Sequence, residues 1–244
     1  NWGKGLNLVD RKNNTVTHYS SQLTGKYRLV NDYIHVIFEY SATEIWIGTR
    51  DGIFIYDKGA FTPLRNFYNS NKLPDFSGNR IFAIRKDTKN NVWIATQGGL
   101  FFVNMKTFEY KHYTIDNKPL SRISDNLVYS LVYDRDSNLW IATKNGLDKY
   151  EKSSGNIINF VRDETKTNTL SDNYCVSICY TNDSLLWVGT KSGINCINLN
   201  NFQFTYYTEE QGLASNLIYE IQQDDMGNMW FGSGKGLSVL KNGT

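Results

Sequence analysis

The chain has 244 residues, of which 40% are hydrophobic and 14% aromatic, and its 26 basic and 24 acidic residues leave a net charge of +2. That length allows a sizeable core in one all-β domain, and so small a net charge gives no field that would gather nucleic acid. No apolar run approaches the roughly 20 residues a membrane helix needs, and because Asn1 stands inside a repeating pattern, the native N-terminus is expected upstream and the lack of a targeting signal says nothing about location.

The pattern begins with Gly5-Leu6. The run from Gly5 to Val9 reads as a strand and Val16 to Tyr19 as its partner. A tryptophan motif follows, Trp46-Ile47-Gly48-Thr49, and six residues after its Trp come Gly52-Ile53. The same combination returns at Trp93 with Gly99-Leu100, Trp140 with Gly146-Leu147, Trp187 with Gly193-Ile194 and Trp230 with Gly236-Leu237. The Gly-to-Gly spacings are 47, 47, 47, 47 and 43 residues. A fixed period of this size means one supersecondary unit repeated along the chain.

The middle repeat shows the unit. Asn126 to Tyr133 is β-branched and aromatic and reads as strand A. Asp134 to Asn138 is a polar turn, and Leu139 to Thr143 is strand B, which carries the Trp. Lys144-Asn145-Gly146 is a tight turn whose Gly supplies positive φ. Leu147 to Tyr150 is strand C and Ile157 to Val161 strand D. No stretch holds a helical period over 11 or more residues, so almost no helix is expected.

In four repeats an Asn stands 14 residues before the Trp, at Asn79, Asn126, Asn173 and Asn216, with Asp32 in that place before Trp46. Its side-chain oxygen is expected to bond the backbone and shape the turn that opens strand A.

Four antiparallel strands in about 47 residues, with one Trp per repeat, indicate the blades of a β-propeller, because a single blade cannot bury both faces and stacking blade on blade does. The expected division is a partial blade at 1–20, full blades at about 32–68, 79–114, 126–162 and 173–208, and a partial blade at 216–244. Trp2 is out of register with the other tryptophans and belongs to a turn, leaving its blade without a core Trp. Such ends suit an arc of a larger, seven-bladed ring; a closed five-bladed ring is the alternative and would duplicate strand C.

Little in the sequence points to catalysis, a cofactor or a metal. The segment Gly232-Ser233-Gly234-Lys235-Gly236 imitates a phosphate loop but leads into a strand, so no helix N-terminus receives a phosphate. His18 and His112 each stand 13 residues after a repeat Gly, hence at equivalent strand-D positions of different blades. Cys175 and Cys179 are too far apart on one strand to bridge, which leaves Cys196 as the one conceivable partner of either; all three read as small buried hydrophobes. Glu220 occupies an inner-strand place held elsewhere by Val36, Ala83, Ser130 and Ser177; a solvated face explains it, and a functional carboxylate is the other reading.

Positions where the repeats disagree are open to function. One set lies in the B–C turn: Lys4, Arg50, Gln97, Lys144, Lys191 and Lys235. The other follows the Asn or Asp that opens strand A: Tyr33, Arg80, Leu127, Tyr174 and Leu217. In a propeller both sets emerge on one face. There Tyr33 and Tyr174 would offer rings to the C–H face of a sugar, with Arg80 supplying forked donors. Ordinary solvated turns and blade-to-blade packing are the plainer readings of the two sets.

The stretch from Asn126 to Tyr150, with Asp134, Asn138 and Leu139-Trp140-Ile141-Ala142-Thr143-Lys144-Asn145-Gly146-Leu147, resembles the two-component regulator propeller repeat. The resemblance recurs along the whole chain. It implies an extracytoplasmic, periplasmic sensor region of a hybrid two-component histidine kinase anchored in the inner membrane. Such a region senses an oligosaccharide derived from a glycan and signals to transcription. The implied partners are that ligand, the remaining blades and downstream signalling domains of the same protein, and a second copy in a homodimeric receptor; the cations of the B–C turns, gathered on one rim, would favour an anionic oligosaccharide. The repeat motif is architectural and carries over no ligand residues. A propeller lyase or glycoside-active enzyme, and an interaction scaffold, are rival readings that a propeller fold alone does not separate.

Overall fold

The computed structural model describes residues 3–57 and 59–241. Trp2 lies outside the described residues. The chain forms two compact units, residues 1–112 and 113–244.

The first unit opens with the pair β1 (Leu6–Asp10) and β2 (Thr15–Tyr19). A four-stranded blade follows, β3 (Ile34–Glu39), β4 (Ile45–Thr49), β5 (Gly52–Asp57) and β6 (Ala60–Pro63). The next blade is β7 (Ile81–Lys86), β8 (Val92–Thr96), β9 (Gly99–Val103) and β10 (Tyr110–Tyr113), whose last residue falls at the unit boundary. In the second unit, β11 (Val128–Tyr133), β12 (Leu139–Thr143), β13 (Gly146–Tyr150) and β14 (Ile157–Phe160) make one blade. β15 (Cys175–Tyr180), β16 (Leu185–Thr190), β17 (Gly193–Asn198) and β18 (Gln203–Tyr207) make another. β19 (Ile218–Gln223), β20 (Met229–Ser233) and β21 (Gly236–Leu240) form a three-stranded sheet. Every sheet runs in sequence order with antiparallel pairing, as between β4 and β5, β8 and β9, β12 and β13, and β16 and β17, which the meander reading requires. The one α-helix among the described residues, α1 (Leu64–Phe67), is four residues long.

Apolar faces meet between blades. Trp46 is fully buried in a cluster with Ile55, Ile81, Ile84 and Ile94, drawn from its own and the following blade. Trp140 packs with Cys175, Ile178 and Leu186, and Trp187 with Ile218, Ile221 and Phe231, in the same relation. Trp93 is 3% exposed, whereas Trp230 is 37% exposed, because its sheet leaves this face to solvent together with Leu237 and Val239.

Three local devices explain the repeat motif. The Asp six residues before the Trp closes the A–B turn. Asp134 accepts the backbone N–H of Asp136 and Asn138, the Asn138 amide, and the Trp140 indole N–H at 3.1 Å. Asp224 repeats this with Trp230 at 2.8 Å, while Tyr40 and Thr181 stand there before Trp46 and Trp187 and offer no carboxylate. The Thr that ends strand B closes the B–C turn, its hydroxyl donating to the repeat Gly carbonyl at 2.8–3.1 Å in four blades. The repeat Gly itself takes positive φ, and a Cβ on Gly193 would stand 2.3 Å from the Tyr207 carbonyl oxygen, so a side chain there is refused on both counts.

The Asn that opens strand A acts at longer range than its turn. Asn126 accepts from Ile115 N–H, Asn173 from Arg162 N–H and Asp32 from Ser21 N–H, each 11 residues upstream, and Asn216 accepts from Glu209 N–H. The local turn is made by the residue before it: Asn31, Asp125 and Asp172 each accept the N–H two residues on. The Asn thus ties the D–A connection across its span.

Candidate functional site

Each strand A carries a β-bulge one residue into its ladder. The register slips between Ile34 and Val36, Ile81 and Ala83, Val128 and Ser130, Cys175 and Ser177, and Ile218 and Glu220. The extra residues are His35, Phe82, Tyr129, Val176 and Tyr219. A bulge re-aims its side chain and is enriched beside functional sites; four of these five residues carry rings. The sequence reading did not single them out, although they recur three residues after each strand-opening Asn or Asp.

The B–C turn packs on this end of strand A. The N–H of Arg50, Gln97 and Lys144 donates to the carbonyl of Tyr33, Arg80 and Leu127, each at 3.0 Å. The two variable sets are therefore neighbours within a blade. In the first unit the Arg50 guanidinium stands 5.5 Å from the Tyr33 ring centre, Arg80 5.7 Å from that of Phe82, and the His35 ring 5.5 Å from Phe82. Burial, with Arg80 and Arg50 nearby, holds the His35 imidazole below its ordinary pKa.

In the second unit Lys191 Nζ lies 4.2 Å from the centre of the Tyr174 ring, and the hydroxyls of Tyr174 and Tyr129 are 2.6 Å apart. Tyr219 is 51% exposed and rests against Gly234. Of the other cations, Lys4 and Lys144 are exposed in their turns, and Lys235 pairs with Glu209 at 3.4 Å.

Other residues weighed from the sequence take structural places. His18 is exposed and bonded to Asn7, and His112 stacks on Phe101 while its Nε2–H donates to the Gly98 carbonyl. Glu220 is exposed and accepts from Gln222 at 3.5 Å. Cys175 and Cys196 are buried thiols and Cys179 is half-buried, with no bridge among them.

The most deeply buried carboxylate is Asp148, in β13. It accepts from the N–H and hydroxyl of Ser124 and from the Asn159 amide. Burial pushes its pKa up to about 6 against those bonds. Asn195 and Ser238 hold the equivalent place and accept from Ser171 and Ala214 N–H. Each pair is 24 residues apart, so this strand-C side chain clasps the D–A connection and Asp148 is one case of a structural series.

Three stretches, residues 75–98, 122–145 and 212–235, match the model of the two component regulator propeller. Each match ends in a B–C turn, directly before a repeat Gly. No curated protein matches the chain. Among solved structures it is similar over 91% of its length to the extracellular domain of a hybrid two component system from B. thetaiotaomicron, with 22% identity and a TM-score of 0.75. It is similar over 97% of its length to that of a one component system from the same organism, with 19% identity and a TM-score of 0.72. The chain spans 30% of each of those two proteins. Virginiamycin B lyase from Staphylococcus aureus shares the fold at 14% identity and a TM-score of 0.64, over 99% of this chain and 78% of the lyase. At these identities the likenesses speak to fold alone: the chain consists of β-propeller blades, and three stretches of it match the two component regulator propeller repeat.

Proposed function

We propose that the chain is part of the extracytoplasmic sensor region of a hybrid two-component regulator, located in the periplasm, and that it binds a glycan-derived oligosaccharide without catalysing a reaction. The repeat match and the likeness to bacterial extracellular sensor domains support the sensor reading. Downstream kinase and DNA-binding modules of the same protein would carry the signal to transcription, with further blades and a second receptor copy as partners.

The observation that carries ligand binding is the pairing of Tyr174 with Lys191 and Tyr129 at the opening of strand A. Aromatic rings pack well against the C–H face of a sugar, and an ammonium held beside them attracts a carboxylate or sulfate. Tyr33 with Arg50, and Arg80 with Phe82, repeat that chemistry in the first unit. Anionic oligosaccharides are accordingly preferred over neutral ones of equal length. The test is calorimetric titration of the full sensor region with matched acidic and neutral oligosaccharides at two salt concentrations. Tyr174→Ala is expected to weaken both, and Lys191→Gln the acidic one, most at low salt. Equal affinities, unmoved by salt or by either substitution, would refute the assignment.

A further inference from the structure

The clasp described for Asp148 changes character in the first unit. There the same strand-C place holds Phe54 and Phe101, hydrocarbon rings that accept no N–H, and the residues 24 earlier are Val30 and Ser77. Val30, buried by no clasp, is 52% exposed. Val30, Phe54 and Ser77 all line one cleft of about 640 Å³. The rest of its lining is Asp51, Gly52 and Ile53 before Phe54, and the D–A connection that contains α1. This connection leaves 17 residues between β6 and β7, against 14 between β10 and β11 or between β14 and β15, and 10 between β18 and β19.

We propose that this cleft is a ligand site for an uncharged, polyhydroxylated group the size of one or two sugar rings. Its volume falls within the roughly 300–1,000 Å³ of small-molecule sites. The wall is held in shape from within: Arg65 donates to the carbonyls of Leu73 at 2.7 Å and Asn71 at 3.3 Å, and pairs with Asp75 at 3.5 Å. The other charged groups are committed too, Asp75 to the Ser77 N–H at 3.0 Å and Asp51 to the Gly78 N–H at 2.6 Å. An anionic ligand therefore meets no unpaired cation here, since Arg65 is held by Asp75. What is unspent is amide: Asn66, Asn69 and Asn71 line the cleft, and their side chains make no hydrogen bond among the described residues. Each offers two donors and an acceptor, the set that vicinal hydroxyls need. Ile53, Phe54 and Phe76 supply an apolar floor for C–H groups. The site uses neither Tyr174 nor Lys191, so it stands or falls apart from the function proposed above.

The experiment is an NMR titration of the isotope-labelled chain with cellobiose, xylobiose and mannobiose, and with digalacturonate as the charged comparison. The expected result is saturable shifts of the Asn66, Asn69, Asn71 and Ser77 amides with at least one neutral disaccharide and weaker ones with digalacturonate. Asn66→Ala and Asn71→Ala should each weaken that binding about fivefold, the size of one net hydrogen bond. Both residues are exposed, so the variants keep the fold, which an unchanged spectrum elsewhere verifies. No shift at these amides with any neutral disaccharide, equal binding of digalacturonate, or shifts unchanged in both variants would each overturn the proposal. Shifts confined to Tyr129, Tyr174 and Lys191 would overturn it while leaving the other site intact.

Discussion

Replacing Asp148 by Asn should reverse its effect on stability across the acidic range. The carboxyl ionises near 6 in the fold, against an ordinary 3.8. At about 1.4 kcal/mol per tenfold, holding it ionised in the fold costs about 3 kcal/mol once the pH exceeds both values. The sign follows from proton uptake: the folded state holds this proton more tightly than the unfolded one. The contribution is therefore intact below about 3.8 and declines as the pH rises through about 6. An Asn keeps an acceptor for the Ser124 N–H, as Asn195 does for Ser171 one blade later. It presents an NH₂ where the Asn159 amide now donates at 2.7 Å, and losing that bond costs about 1 kcal/mol. The net expectation is a gain of about 2 kcal/mol at pH 7.5, slight destabilisation at pH 4, and a change of sign at roughly pH 4.5–5. In a unit of this size, 2 kcal/mol moves the midpoint by about 4–8 °C. Thermal melts followed by tryptophan fluorescence at four pH values read it directly. A variant displaced by the same amount and in the same direction at pH 4 and pH 7.5 would show that burial does not burden this carboxylate.

Other perturbations separate the structural devices. Trp140→Ala should cost about 3–5 kcal/mol in urea melts, and Trp230→Ala about half as much, because Trp230 is 37% exposed and Trp140 1%. Asp134→Ala removes the acceptor of four hydrogen bonds, one of them from the Trp140 indole, and should cost about 2–3 kcal/mol with a shift in tryptophan emission. Gly193→Ala should be far more damaging than Gly212→Ala: both glycines have φ of +101°, but only Gly193 faces a carbonyl oxygen at 2.3 Å. The apolar face of Trp230, Leu237 and Val239 should drive association of the isolated chain, and sedimentation unchanged over a tenfold range of concentration would contradict that.

The blades were legible because period and chemistry agree at every level. In the middle repeat strand B was expected at Leu139 to Thr143 and runs over those residues, and strand C begins one residue earlier than expected, at Gly146. The largest displacement, of two residues, has a physical cause. Strand A starts at Val128 and not at Asn126, because Asn126 turns its side chain to Ile115 N–H and gives up its place in the ladder. The long connection holding α1 was not foreseen, since four helical residues leave no periodicity to read.

The candidate site was legible only in part, and the bulge shows why. Strand A alternates well enough for a strand to be recognised, but a one-residue slip turns the following side chains to the opposite face. Sequence alternation alone therefore places Tyr129 and Ser130 wrongly relative to the core, and nothing in the residue types marks the slip. The turn cations and strand-opening tyrosines were found because they vary where the architecture is constant. Their contact is a matter of geometry: the Arg50 N–H to Tyr33 carbonyl bond and its equivalents at Gln97 and Lys144 fold the turn against strand A, and in the first of these blades the Arg50 guanidinium comes to stand over the Tyr33 ring. The clasp is legible in retrospect as a polar residue two after the repeat Gly, at Asp148, Asn195 and Ser238. Its absence at Phe54 has a functional reading only beside the cleft, since the same aromatic substitution at Phe101 is spent on stacking with His112 at 4.0 Å. One sequence position thus serves as a lock in the second unit, a packing contact at Phe101 and the floor of an open cleft at Phe54, and only the neighbours decide which.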